Sequence, residues 1–320
     1  MYQRSSWIGR RTSLSKDSAD RHREWRDRVT RSSQQGRPFA RGLKAGAFFR
    51  VGLVSLAVCL LLPVNLGAQC PSAPQGKIVA NPNRPTVADP ADITELGVLE
   101  LEYGWERDWF PGAVRGNSFS GLVKFAATCN LEIRWGPDTL VTQGGRRGFG
   151  DNWLGGQYRF HRQTAHVPTL AASYAVKIPS ASEQEGLGSG RVDHQFRFLA
   201  SQDVRGTHFD FNASALLIGR PLARGHDHNA EINLAFSHPL RGKLGLTGEL
   251  YGDTRLNRAV PGFVSTLGAL TYTITPRLVV DAGMDVALTP DAPFRKRLVM
   301  GFTYSLAELY PHIRRRLKGN

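Results

Sequence analysis

The 320-residue chain is basic, with 41 Lys+Arg against 27 Asp+Glu and a formal charge of +14. Thirteen of those bases and four of the acids fall within residues 1–50, a local excess of nine, so the bulk charge is no sign that the rest binds nucleic acid. No stretch is long and apolar enough for a membrane-spanning helix, which leaves strands as the only means of crossing a bilayer.

Residues 1–50 are rich in Arg and Ser, show little apolar periodicity and read as disordered, with a nucleic-acid arm at DRHREWRDR as the alternative. They lead into Val51–Val64 (VGLVSLAVCLLLPV), fourteen mostly apolar residues without a charge. A basic flank, a short apolar core and the small residues Gly67 and Ala68 make 1–68 a basic n-region and signal peptide, with cleavage expected after Ala68. The n-region is long, from either an upstream start codon or an extended signal. Cys59 leaves with this segment. Cys70 follows Gln69, where a lipoprotein signal wants a small residue; it is a candidate for lipidation or for a disulfide with Cys129 in the oxidising periplasm. Residues 69–92 are Pro-rich without a period and read as a periplasmic linker or a plug-like segment.

From Ile93 onward apolar and polar residues alternate one by one, the period of a strand with one greasy and one wet face. Twelve strands are expected: 93–105, 118–128, 130–141, 151–161, 167–178, 191–203, 207–218, 229–237, 243–253, 263–274, 277–287 and 295–306. Ten residues at about 3.3 Å each, tilted near 45°, rise about 23 Å, close to the roughly 25 Å apolar band of an outer-membrane barrel. Connections alternate between long, Gly- and Pro-rich ones and brief ones, as external loops and periplasmic turns do. An even strand number also closes without an edge. The fold class is therefore all-β, a closed antiparallel up-and-down transmembrane β-barrel of about 12 strands over 93–306, followed by a basic tail, 307–320.

Strand parity separates an outward apolar set, such as Leu131, Ile133, Trp135, Phe196, Phe198, Ile232 and Leu234, from an inward polar one. The inward set is Glu100, Glu102, Lys124, Glu132, Arg134, Gln157, Arg159, Lys177, Asp193, Gln195, Arg197, Asp210, Glu231, Glu249, Asp281, Asp285 and Arg297, with Asn212, Asn233 and Asp253 beside them. A Lys or Arg facing lipid at mid-depth costs about 2–4 kcal/mol, so these side chains line a lumen. Each either contacts solute or belongs to a wall network of cross-lumen ion pairs.

Three stretches carry a resemblance: FAATCNLEIRWG from Phe125, GFGDNWLGGQYRF from Gly148 and KIPSASEQEGLGSGRVDHQF from Lys177. With the closing RLVMGFTYSL, the chain from 93 to 306 resembles the MetA-pathway of phenol degradation family of outer-membrane transporter barrels. The resemblance implies passive passage of small, aromatic or hydrophobic compounds and implies no enzyme. One departure is the basic ending SLAELYPHIRRRLKGN, where such barrels usually finish on an aromatic residue.

No zinc spacing, P-loop, G-x-S-x-G or H-E-x-x-H is present, and neither a cofactor nor a metal is expected. His226, Asp227 and His228 read as a solvated loop tip. Ser173, Ser201 and Ser214 read as lumen-facing, and outward His194 lacks a serine partner, which argues against a hydrolase on the outer wall. The expected function is a channel or transporter for small solutes in the outer membrane of a Gram-negative cell. The alternatives are a non-conducting structural or adhesive barrel with a filled lumen, and a soluble lipid-binding barrel, against which the inward charges argue. The expected partners are outer-membrane lipid, the barrel-assembly machinery and an unspecified solute, with no nucleic acid and an open oligomeric state.

Overall fold

The computed structural model describes residues 78–111, 114–220, 224–255, 261–290 and 292–310. The basic arm, the signal with its cut after Ala68, Cys59, Cys70 and residues 311–320 of the tail lie outside these described residues.

The alternating segments form β1 (Val98–Trp109), β2 (Arg115–Ala126), β3 (Leu131–Gln143), β4 (Arg146–Gly148), β5 (Asn152–His161), β6 (Thr169–Ile178) and β7 (Asp193–Val204). They continue as β8 (Thr207–Gly219), β9 (His226–Pro239), β10 (Leu244–Arg255), β11 (Pro261–Thr275), β12 (Leu278–Ala287) and β13 (Lys296–Glu308). Twelve of these are wall strands, each antiparallel to its neighbours, and β1 pairs with β13 from Val98↔Glu308 to Trp109↔Lys296. The twelve wall strands thereby close on themselves, and none of them is left as an edge among the described residues. The remaining strand, β4, folds back on β3 through Gly144 and Gly145, whose φ values of +58° and +83° suit a tight reversal.

All twelve expected strands are found, with shifted ends. The first starts at Val98 rather than Ile93, because Ile93 and Thr94 are buried in a different segment and Gly97, at φ +74°, turns the chain into the wall. The long connection expected at 142–150 contains β4. His226–His228 begin β9 instead of forming a loop tip, and Asp227 is buried there against Arg220.

Parity behaves as the alternation requires. On β9, Ile232, Leu234 and Phe236 are exposed on the exterior while Glu231 and Asn233 are buried within. We expect Leu234→Arg to lower the unfolding free energy of the lipid-inserted barrel by about 2–4 kcal/mol, read from denaturant titration in bilayers.

Candidate functional site

Each of the seventeen expected lumen residues is buried, none more than 9% exposed, and they form ion networks on the inner wall. Lys124 lies 2.8 Å from Glu100 and 2.7 Å from Glu102. Lys177 bridges Asp193 at 2.6 Å and Asp151 at 3.3 Å. Arg297 reaches Asp108 at 2.6 Å, and Arg197 reaches Glu231 at 3.4 Å. The charges are segregated around the circumference. On β8–β12 every buried charged side chain is an acid (Asp210, Asp227, Glu231, Glu249, Asp253, Asp281 and Asp285), whereas Lys124, Arg134, Arg159, Lys177 and Arg197 lie on β2–β7.

What these side chains enclose is the chain itself. Residues 78–96, the described part of the expected linker and the start of the expected first strand, run inside the lumen. The segment enters where Ala80 N–H meets the Pro276 carbonyl at 2.8 Å, beside the short turn between β11 and β12. It then climbs the inner face of β1. Asn81 N–H donates to Glu100 at 2.9 Å, Asn83 N–H to Glu102 at 2.7 Å, and Lys124 Nζ also donates to the Asn81 carbonyl. Arg84 pairs with Asp281 at 3.2 Å and fills a notch at Gly104 and Gly301, where an added Cβ would stand 2.2 and 2.4 Å from its side chain.

At the top of the climb Glu249 accepts the amides of Val87 and Ala88, both at 2.7 Å, so two backbone donors in a Pro-containing turn find a buried partner. Val87 packs into an apolar cap made by Phe110, Tyr251, Phe263, Ala292 and Phe294 at the long-loop end. The segment then descends along β3, β5, β7 and β8. Asp89 meets Arg134 and Arg197, Ala91 N–H donates to Ser201 at 2.7 Å, Gln157 donates to the Pro90 carbonyl at 2.9 Å, and Arg159 pairs with Asp92 at 2.9 Å. Thr94 closes the path on Glu132 with N–H at 2.8 Å and Oγ1 at 2.9 Å. A cavity of about 20 Å³ persists between this insert and β2, lined by Asn83, Arg84, Thr86, Glu102, Ser120, Gly121 and Leu122; it has room for about one water.

From Asn81 to Thr94 the insert is thus gripped by wall side chains rather than added to the sheet as a strand. Sequence reasoning named most of the wall but not the insert residues that complete it, Asn83, Arg84, Asp89 and Asp92, nor the wall acids Asp108, Asp138 and Asp151. A signal was present: polar Asn81, Asn83, Arg84, Asp89 and Asp92 are spaced among prolines, which suppress strand and helix and leave backbone amides for side chains to satisfy.

Of the expected disulfide, Cys129 lies in the β2–β3 turn and is disulfide-bonded, with its carbonyl accepting from Arg159 and Arg162 at 2.7 and 3.1 Å. Cys59 and Cys70 are outside the described residues. For the mature chain we expect unchanged mass after alkylation under denaturing, non-reducing conditions, whereas two labelled thiols would rule out a Cys70–Cys129 bond. Ser201 and Ser214 face the lumen, and outward His194 contacts Tyr174 Oη at 2.8 Å. Among the described residues no group of three or more His, Cys, Asp or Glu side chains is arranged to hold a metal ion.

The wall geometry is shared with known outer-membrane proteins. The structure of the COG4313 outer membrane channel from Pseudomonas putida F1 superposes with a TM-score of 0.55 at 11% identity, covering 67% of this chain and 97% of that one. The NanC porin gives 0.48 at 10% identity, covering 65% and 100%, and the KdgM porin in complex with disordered oligogalacturonate gives 0.47 at 8%, covering 65% and 99%. No protein of curated function matches the chain. The molecule is a closed antiparallel barrel of twelve wall strands, the fold it shares with the COG4313 channel. Through a match spanning residues 83–295, the chain belongs to the family described as "Putative MetA-pathway of phenol degradation".

Proposed function

We propose that this barrel passes small solutes across the outer membrane and that residues 78–96 are the movable part of the pathway. The observation that carries this reading is the manner of the insert's attachment: a tapered loop held by side-chain hydrogen bonds and ion pairs inside a continuous wall. Such bonds exchange with water and with polar solute at a net cost of about 0.5–3 kcal/mol each, the upper part of that range for those to charged groups, and none belongs to the sheet, so the loop can leave without disturbing a strand. The family's description supports small aromatic compounds as cargo, and the lumen's polar lining supports passage of solutes that carry hydrogen-bonding groups. Exposed outward side chains such as Leu154, Phe160, Leu250 and Met284 support contact with outer-membrane lipid.

The filled lumen favours a second reading, a structural barrel that never opens. Swelling of liposomes carrying the purified mature protein, with sugars, amino acids and aromatic acids as osmolytes, separates the two. Swelling in any of them supports the channel. Correctly inserted, heat-modifiable barrels that never swell or conduct, with the insert present or deleted, leave the structural reading.

A further inference from the structure

Asp89 is held in the lumen as a ligand is held. One carboxylate oxygen lies 3.0 Å from Arg134 Nη1 and 2.5 Å from Arg197 Nη1, while the other accepts from Asn83 Nδ2 at 2.6 Å. Asn212 reads its backbone twice, accepting the Asp89 N–H at 2.8 Å and donating to the Asp89 carbonyl at 2.8 Å. Arg134, Arg197 and Asn212 are 2%, 3% and 0% exposed. Their own positions are fixed from outside the contact: Glu132 accepts from Arg134 Nε at 2.7 Å and Ser214 from Arg197 Nε at 3.0 Å.

The surroundings offer more than an aspartate uses. Arg134 Nη2 is buried with no hydrogen-bond partner among the described residues. Asn233, which pairs with Asn212 across β8–β9 and is 0% exposed, has no partner for either its Oδ1 or its Nδ2. Buried donors and acceptors without partners destabilise a fold, and a ligand bearing additional polar atoms would satisfy these. The two guanidiniums are individually balanced by Glu132 and Glu231. Recognition therefore rests on charge-assisted hydrogen-bond geometry that a carboxylate meets and a neutral or cationic isostere does not.

We propose that Arg134, Arg197, Asn212 and Asn233 form a carboxylate subsite within the lumen, filled at rest by Asp89 as an internal ligand, and that small organic carboxylates are the solutes that compete for it. This rests on the channel reading for its physiological meaning, but its test does not require conduction. Purified full-length mature barrel and its Asp89→Ala variant would be titrated by calorimetry with sodium benzoate, benzamide and benzylammonium chloride, after heat-modifiable gel mobility has shown each to be folded. Benzoate should bind Asp89→Ala at least about tenfold more tightly than wild type, because the internal carboxylate reduces the binding-competent fraction. Benzamide and benzylammonium should bind at least about tenfold more weakly than benzoate. Adding Arg197→Gln should abolish that preference; if that variant does not insert, Asn212→Ser should reduce it instead.

Equal binding of the three probes to folded Asp89→Ala, or no benzoate binding at all, overturns the subsite. Liposome swelling keeps the two ideas apart. Asp89→Ala vesicles that swell in neutral sugar while the protein ignores benzoate refute the subsite alone. Benzoate binding by a barrel that passes no solute refutes the channel alone.

Discussion

Deleting residues 78–92 from the mature chain is expected to raise the time-averaged conductance of single barrels in planar bilayers about a hundredfold. A seated insert that leaves about one barrel in a hundred open is favoured by about 2.7 kcal/mol, which is well within what about ten contacts supply at about 0.5 kcal/mol net or more each. The deletion stops short of Thr94 and Gly97, whose bonds to Glu132 and Ala126 set the entry into β1, so the wall should assemble as before. An unchanged conductance would show that the insert does not govern the pathway.

The second large effect concerns the wall itself. Lys124 is 0% exposed and shared by Glu100 and Glu102, themselves at 0% and 2%. Lys124→Met would leave two adjacent buried carboxylates facing each other without a cation. Removing one partner of a buried pair typically costs about 3–5 kcal/mol, more than the pair itself contributes. We expect the denaturant midpoint of the refolded barrel to fall accordingly, with part of the loss recovered in Lys124→Met combined with Glu102→Gln, as coupled neighbours require. Equal midpoints for wild type and Lys124→Met would mean that the carboxylates take a proton or water without cost.

The contrast between wall and insert shows what a linear sequence discloses. A wall strand has an apolar exterior on one side and a polar lumen on the other, so its residues alternate, and Glu132-Ile133-Arg134-Trp135 reveals both faces at once. The same parity points Asp193, Gln195 and Arg197 inward, and all three side chains are buried. The insert has no such constraint. It is surrounded by wall, so Asn83-Arg84-Pro85-Thr86 carries no period, and several of its partners lie more than a hundred residues away: Asp281 for Arg84, Glu249 for Val87 and Asn212 for Asp89. The five-residue error at the start of β1 has the same origin, because Ile93 and Thr94 are polar–apolar alternates in sequence but belong to the insert in space. His226–His228 misled for a simpler reason: two histidines around an aspartate look like a solvated loop, while an inward Asp227 paired with Arg220 fits a strand end.

The glycine pair at Gly104 and Gly301 carries a consequence for how the molecule is put together. These residues face each other across β1 and β13, the first and last staves of the cylinder, so the recess that receives Arg84 does not exist until the chain's two extremities have been zipped. Arg84 therefore gains its full seat only in the completed ring, and a guanidinium locked there reports that the circle has been closed.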